Sequence, residues 1–515
     1  MLKPANMRYS LFLLAYFSFA MSFAQNQPIG IFDNHSDIGN PKIPGSVSYD
    51  ASNQVYTMKG SGYNIWFNRD EFQYLYKKLS GDFILTANFE FLGDMGKDGH
   101  RKMGWMVRES TDEASAATSA CTHVDGLTVM QWRGLRGAYM RDPEDEIFYL
   151  KKNYGTIQLE RNGKRITMRV AHPGEPLQIV GYHDMTEMKD TVLAGLFLCA
   201  HDPESIAEAK MWNVRIDKPV SYTYNPSQQG WLGCRLEIMQ VADGARKVIH
   251  ESKGRFEAPN WMPDGKSLLF NENGSLYTIS VEGGTPEKLN SGAIDNCNND
   301  HGISFDGKLI AFSSHRAGLP GGGSSIYIMP IKGGEPKLIV DRTPSYWHGW
   351  SPTGKEIIFV AMRDSKVYNI YKVAAQGGPE IPLTNNMAGH VDGPEFAPDG
   401  KYIYYNANQT GTMQIWRMKP DGTEKEQLTF DEYHNWFPHI SPDGKSMIFI
   451  SFPPDIDPAA HPSYKRVMLR LMSLKGANSL KVIAYLFGGQ GTINVPSWSP
   501  DSKYIAFVSN SEKFE

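Results

Sequence analysis

The feature that most constrains this chain is a phrase it rewrites six times. The copies read Met262-Pro-Asp-Gly-Lys-Ser-Leu-Leu-Phe, Phe305-Asp-Gly-Lys-Leu-Ile-Ala-Phe, Ser351-Pro-Thr-Gly-Lys-Glu-Ile-Ile-Phe, Ala397-Pro-Asp-Gly-Lys-Tyr-Ile-Tyr-Tyr, Ser441-Pro-Asp-Gly-Lys-Ser-Met-Ile-Phe and Ser499-Pro-Asp-Ser-Lys-Tyr-Ile-Ala-Phe. The markers Gly265, Gly307, Gly354, Gly400, Gly444 and Ser502 step by 42, 47, 46, 44 and 58 residues. A period in the forties with an all-β pattern predicts four-stranded propeller blades.

Each unit parses alike. Strand A ends at the Pro-Asp-Gly turn, strand B follows as in Leu309-Ile-Ala-Phe-Ser, and strand C reads Ile326-Tyr-Ile-Met or Ile415-Trp-Arg-Met. A Gly-Gly or Asp-Gly turn then leads to strand D, as in Pro336-Lys-Leu-Ile-Val; glycine supplies the positive φ such turns need. The ends complete each other. Arg235-Leu-Glu-Ile-Met-Gln-Val-Ala-Asp-Gly-Ala-Arg-Lys-Val-Ile matches strands C and D with no A or B before it, and Pro496-Ser-Trp-Ser-Pro-Asp-Ser-Lys-Tyr-Ile-Ala-Phe-Val-Ser matches A and B. One blade shared between the two segments closes a six-bladed ring over residues 232–515 and removes exposed sheet edges. These blades resemble TolB-like propeller repeats, a likeness that implies fold; the repeat residues themselves make turns and cores.

No copy of the phrase precedes about residue 255. Alternating patterns there predict strands at 48–58, 83–91, 103–108, 126–132, 156–161, 166–170 and 192–199, with a two-residue hairpin signal at Arg161-Asn-Gly-Lys. The series Gly81-Asp-Phe-Ile-Leu-Thr-Ala-Asn-Phe-Glu-Phe, Gly104-Trp-Met-Val-Arg, Leu159-Glu-Arg-Asn-Gly, Gly195-Leu-Phe-Leu-Cys and Ala209-Lys-Met-Trp-Asn-Val-Arg-Ile resembles concanavalin-like jelly-roll domains. The fold class is therefore all-β: a concanavalin-like β-sandwich over 25–217, a Pro, Ser and Gly-containing linker over 218–231, then the propeller. That resemblance implies sugar binding on a concave sheet, with Trp66, Trp105, Trp132 and Tyr139 as platforms and Arg108 or Arg133 as donors. The competing expectation is that Trp105 and Trp132, inside strand patterns, fill the core. No carboxylate pair in this region has a spacing that marks a glycosidase.

Residues 1–24 read as an address. Lys3 and Arg8 precede an apolar run from Tyr9 to Phe23 that ends in Ser22-Phe-Ala before Gln25, the three parts of a cleaved secretory signal. A retained anchor is the alternative, but the run is short for a span. Periplasmic or secreted localisation is expected, with no stable membrane insertion. The net charge of −4 gives no electrostatic reason for a nucleic-acid partner. Four cysteines without CxxC spacing do not form a zinc pattern; Cys199 reads as a buried thiol, a Cys121 to Cys199 bridge being the alternative.

The turn face of the ring is monotonous, so chemistry is expected on the other face. Just before each strand A the chain places Glu257; Asn299, Asp300 and His301; Tyr346, Trp347 and His348; His390 and Asp392; His434 and Trp436; and Asn494. The B-to-C loops add His315 and Arg316, Arg363, and an insertion at 452–466 carrying His461, Lys465 and Arg466. Three readings stand. The groups form a pocket for a glycan or envelope protein, with Trp347 and Trp436 as platforms and Arg316 and Arg363 for an anionic group, without a cofactor. Alternatively His348, His390 and His434 hold a divalent metal ion in a polysaccharide-degrading lyase or hydrolase, as in the oligogalacturonate lyases. Or the groups cap strands around a watery channel. No Gly-x-Ser-x-Gly elbow occurs with an α/β pattern.

Overall fold

The structure, a computed structural model, describes residues 28–93, 98–140, 146–149, 151–364, 367–385, 389–475 and 479–512. The expected leader at 1–24 lies outside them. Two seven-stranded antiparallel sheets face each other in the N-terminal part. One runs, edge to edge, Asn34–Ile38, Phe72–Leu79, Val192–Cys199, Lys102–Arg108, Ala117–His123, Thr128–Arg133 and Glu146–Tyr149; the other runs Gln178–Asp184, Arg165–Ala171, Thr156–Asn162, Phe83–Leu92, Ala207–Asp217, Val55–Gly60 and Ser46–Asp50. Leu75, Leu85, Trp105, Leu159, Met168 and Leu196 fill the space between them.

Several local expectations change. The stretch 48–58 is not one strand but a hairpin of Ser46–Asp50 with Val55–Gly60. Asp50 explains the turn: its carboxylate accepts from Ser52 N and Oγ at 2.9 and 2.6 Å and from Asn53 Nδ2 at 2.7 Å, the side-chain mimicry of a turn that Asp favours. At the Asn-Gly signal the hairpin forms with Asn162 opposite Arg165, so its two loop residues are Gly163, at φ 60°, and Lys164. All four cysteines are buried and none is in a disulfide. Strand Lys102–Arg108 lies between the strands of Cys121 and Cys199; two strand spacings of about 4.8 Å exceed a disulfide's reach.

The sugar-platform expectation for this domain also changes. Trp105 is fully buried and donates from Nε1 to Ile157 O at 3.2 Å. Arg108 and Arg133 are buried on Asp70, with Arg133 Nη2 to Oδ1 at 2.6 Å and Arg108 Nη1 to Oδ2 at 3.3 Å. Ile65 and Met140, from loops, cover Phe72, Tyr74, Met106 and Phe197 on the outer face of that sheet, so the face is closed. Trp132 stacks on His183 at 3.9 Å. Trp66 is half-buried with Lys102 Nζ 5.9 Å from its ring, and Tyr139 is exposed.

From Cys234 onward six sheets form the ring. Blades one to five are the four-stranded sheets starting at Phe256, Cys297, Ser345, Val391 and His434. In the sixth, Cys234–Gln240 pairs on one side with Arg246–Ser252 and on the other with Tyr504–Asn510. Its strand A is reduced to a single bridge between Trp498 and Ile505. The ring thus closes by hydrogen bonds between segments more than 250 residues apart. In each repeated turn the marker N–H donates to the carbonyl three residues before it; in blade five Ser441 Oγ also donates to Asp443 Oδ1 at 2.7 Å and accepts from Ser446 N at 3.0 Å, and Gly444 takes φ 67°, whereas blades one and four have Met262 and Ala397 at the serine position. In the sixth copy Ser502 holds the same conformation, φ 62°, at the strain a non-glycine residue carries there.

The sandwich packs against blades five and six. Buried Glu237 accepts from Arg246 Nη2 at 2.8 Å, from Arg215 Nη2 of the sandwich at 2.8 Å and from Ser509 Oγ at 2.5 Å. Arg466 of blade five reaches Glu160 Oε1 at 2.5 Å. The segment 218–231 carries the short helix Pro226–Gln229, capped by Asn225, and lies along the blade-five insertion, where Tyr222 OH donates to Asp455 O at 2.8 Å.

Candidate functional site

A cavity of about 350 Å³ opens at the ring axis. Its position follows from an irregularity common to blades one to five: strand A shifts register, between Glu257 and Asn260, Cys297 and His301, Trp347 and Gly349, Asp392 and Glu395, and Trp436 and His439. Such bulges re-aim side chains. Ala258, Gly393 and Phe437 take φ of 57°, 56° and 54° at these points. Six residues before each turn marker stand Pro259, Pro394, Pro438 and Pro496, but His301 and His348 in blades two and three. The candidate residues therefore lie mostly within strand A, not before it; His390 and Asn494 are the two that precede a strand.

Asp300, His348, His390, Asp392 and Asn494 do line the cavity, with Asn299 and Tyr346. Asp392 is the hub. Its Oδ1 lies 3.0 Å from His348 Nε2 and accepts from Gly393 N at 2.8 Å, and its Oδ2 lies 3.5 Å from His390 Nε2 and 3.9 Å from His461 Nε2. Burial alone would raise this carboxyl; hydrogen bonds from His348 and His390 outweigh it and hold it well below the ordinary carboxylate range. For His348, burial works downward, and the hydrogen bond to Asp392 with the nearby Asp300 charge turns the balance upward. Asp300 behaves oppositely to Asp392. Burial pushes it up to about 7, with Asp392 and Glu257 adding to the rise and His348 opposing it.

Other candidates sit outside the lining. Trp347 is 1% exposed and packs on Gly302, where an added Cβ would lie 2.1 Å from Trp347 Cη2. Trp436 is 0% exposed in the blade-five core, its ring 4.5 Å from that of His461. Neither offers a free platform. Arg316 donates to Asp341 Oδ1 at 2.6 Å, and Arg363 grips Glu380 at 2.7 and 3.0 Å, so both guanidinium groups already have carboxylates. Glu257 sits behind Arg255 at 2.7 Å and burial raises its carboxyl. His301 is buried beneath the lining, its imidazole lowered to about 4 by burial. His434 is buried too, accepting from Met413 N at 3.4 Å. Among the described residues no group of three or more His, Cys, Asp or Glu side chains is placed to hold a metal ion. The alternative set His348, His390 and His434 is not assembled: the first two converge on Asp392 and the third does not reach the cavity.

The lining also contains Arg255, Asn298, Tyr368, Phe437 and Gln490, which the pattern before strand A did not single out. Phe437 follows Trp436 by one residue, and the bulge turns it inward in place of the tryptophan. His461 arrives from the blade-five insertion, and burial lowers it below the ordinary imidazole value. Asn494 is fixed by Gly491 N at 2.7 Å and donates to Gln490 Oε1 at 3.1 Å. Two larger clefts, about 1000 and 660 Å³, lie where the sandwich meets blade six. Of their cations, Lys210 is engaged with Glu90 at 2.5 Å, Lys247 with Glu282 at 3.0 Å and Arg235 with Asp217 at 2.5 Å. Two buried carboxyls with opposed shifts, Asp300 raised and Asp392 lowered, converge on the axial cavity, the physical mark of a functional site.

The model of the TolB beta propeller domain matches residues 232–368 and 344–455. An uncharacterised protein of Agrobacterium fabrum is 44% identical over 280 residues, 54% of this chain and 93% of that protein. The solved structure of a TolB candidate from Agrobacterium tumefaciens is 43% identical with a TM-score of 0.51, covering 54% of this chain and 98% of that one. The Tol-Pal system protein TolB of Francisella tularensis is 25% identical over 272 residues, 51% of this chain and 59% of that protein. With six blades, the repeated Ser-Pro-Asp-Gly-Lys turn and a relative matched over nearly its whole length, the chain belongs to the TolB β-propeller family.

Proposed function

We propose that the protein binds a small polyhydroxylated ligand, the end of a glycan chain, in the axial cavity. The observation that carries this reading is Asn299, 2% exposed in the lining, whose Nδ2 has no hydrogen-bond acceptor. A buried amide donor left unmatched costs about 1–3 kcal/mol, and a ligand hydroxyl would satisfy it. Asn298, Gln490 and Asn494 surround the same space. Amides and imidazoles mix donors with acceptors, as hydroxyls do, and a cavity of about 350 Å³ suits a small molecule better than a protein surface. The sandwich, which we take as concanavalin-like, then acts as support, and residues 1–24 direct export to the periplasm or beyond.

Calorimetric titration with a panel of neutral, uronate and amino glycans tests the reading. At least one glycan should bind, His390→Ala and Asn494→Ala should each weaken it about tenfold or more, and Trp132→Ala should leave it unchanged. Binding that survives both cavity changes, or no binding at all, contradicts it. The opposed shifts of Asp300 and Asp392 favour a second reading, acid–base cleavage of the bound glycan. New reducing or unsaturated ends appearing in the same panel, and lost in Asp300→Asn, would establish it; an unchanged panel would rule it out.

A further inference from the structure

Asp300 poses a question the glycan reading does not answer. It lines the cavity at 5% exposure, and among the described residues no Lys, Arg or His nitrogen lies within 4.0 Å of its carboxyl oxygens. A buried carboxylate without a counter-ion is costly. The cavity cannot supply the ion itself. Arg255 is the one Lys or Arg in the described lining and is bound to Glu257 at 2.7 Å, and His348 is turned to Asp392 at 3.0 Å.

The neighbouring wall is aromatic. Tyr346 and Tyr368 line the same space with ring centroids 5.9 Å apart at 59°, and Phe437 lines it from blade five. Asp300 and Tyr346 are neighbours: burial, then Tyr368, then the Asp300 charge push the Tyr346 phenol up. A carboxylate beside ring faces is the environment that attracts an organic ammonium group, through charge and through the ring quadrupole.

We infer that the cavity selects ligands carrying a protonated amino group, seated between the Asp300 carboxylate and the rings of Tyr346 and Tyr368. Resting on the glycan reading, this names the class as amino sugars with a free amine. The amine supplies the missing counter-ion, and its neighbouring hydroxyls meet Asn299 and Asn494. N-acetylation would remove the charge and leave the carboxyl unpaired again.

The test compares a glucosamine oligomer, the same oligomer N-acetylated, and a glucose oligomer by calorimetric titration of the full chain at pH 7.5. The free amine should bind about tenfold or more tightly than the other two. Asp300→Asn should shrink that preference to less than about threefold, and Asp300→Glu, which keeps the charge, should retain most of it. Equal or tighter binding of an uncharged oligomer, or a preference intact in Asp300→Asn, overturns the inference and leaves the glycan reading standing. No binding by any of the three overturns both.

Discussion

Asp300 and Asp392 present the same functional group to the same cavity, and their surroundings drive them apart. Asp392 is held ionised by His348 and His390, whereas Asp300 is raised to about 7 by burial. Because the folded value of Asp300 exceeds its unfolded one, its contribution to stability is full below about pH 4 and is lost as pH rises through about 7. Asp300→Asn should therefore gain stability relative to wild type at pH 8, by about 1–3 kcal/mol, and show little gain at pH 4.5; thermal melts at the two values check this, and an equal effect at both contradicts it. Residue identities were legible only in part. The polar residues ahead of each Pro-Asp-Gly turn do converge, but which of two adjacent side chains faces the cavity depends on a bulge. Trp436 points into the core and Phe437 into the cavity for that reason, and no composition or spacing signal distinguishes them. Arg316 and Arg363 looked free in sequence because Asp341 and Glu380 lie 25 and 17 residues away.

At the scale of elements, the bulged strand A both positions the site and ties blade to blade. Trp350 Nε1 donates to Gly302 O of the preceding blade at 3.2 Å, and Trp498 Nε1 to His439 O at 3.0 Å. Gly302 has no room for a side chain under Trp347. Gly302→Ala should thus cost about 1–3 kcal/mol by overpacking, and by displacing strand Cys297–Ile303 it should weaken ligand binding without touching ligand. Chemical denaturation with titration of the same variant tests both; unchanged stability would show that the tryptophan yields freely. The blades were legible because their turn repeats with fixed chemistry. The sandwich was legible as a class and not strand by strand, since a polar turn such as Asp50-Ala-Ser-Asn looks like continued alternation until its side-chain hydrogen bonds are seen. Strand Phe72–Leu79 was missed for the opposite reason: buried over its first half, it lacks the period of a one-sided strand.

In the whole molecule one buried carboxylate joins what the chain order separates. Glu237 binds the sandwich through Arg215, blade six through Arg246 and the C-terminal strand through Ser509, and the two guanidinium groups hold it far below the ordinary range although burial acts the other way. Its folded value lies below its unfolded one, so its stabilisation is present above about pH 4.5 and is lost as pH falls. Glu237→Gln leaves two cations without a counter-charge and should cost about 3–5 kcal/mol. In hydrogen exchange, strands Cys234–Gln240 and Tyr504–Asn510 should lose protection together; loss confined to one of them would contradict the shared closure. With ring and sandwich fixed as one body, ligand binding has to report at the axis. Hydrogen exchange of the full chain with and without its tightest-binding glycan measures this directly. Binding in the axial cavity predicts slower exchange in Cys297–Ile303, Ser345–Trp350 and Val391–Phe396 and in the insertion 453–464, with residues 28–217 unchanged. Protection confined to 28–217 would place the ligand on the sandwich and contradict the account.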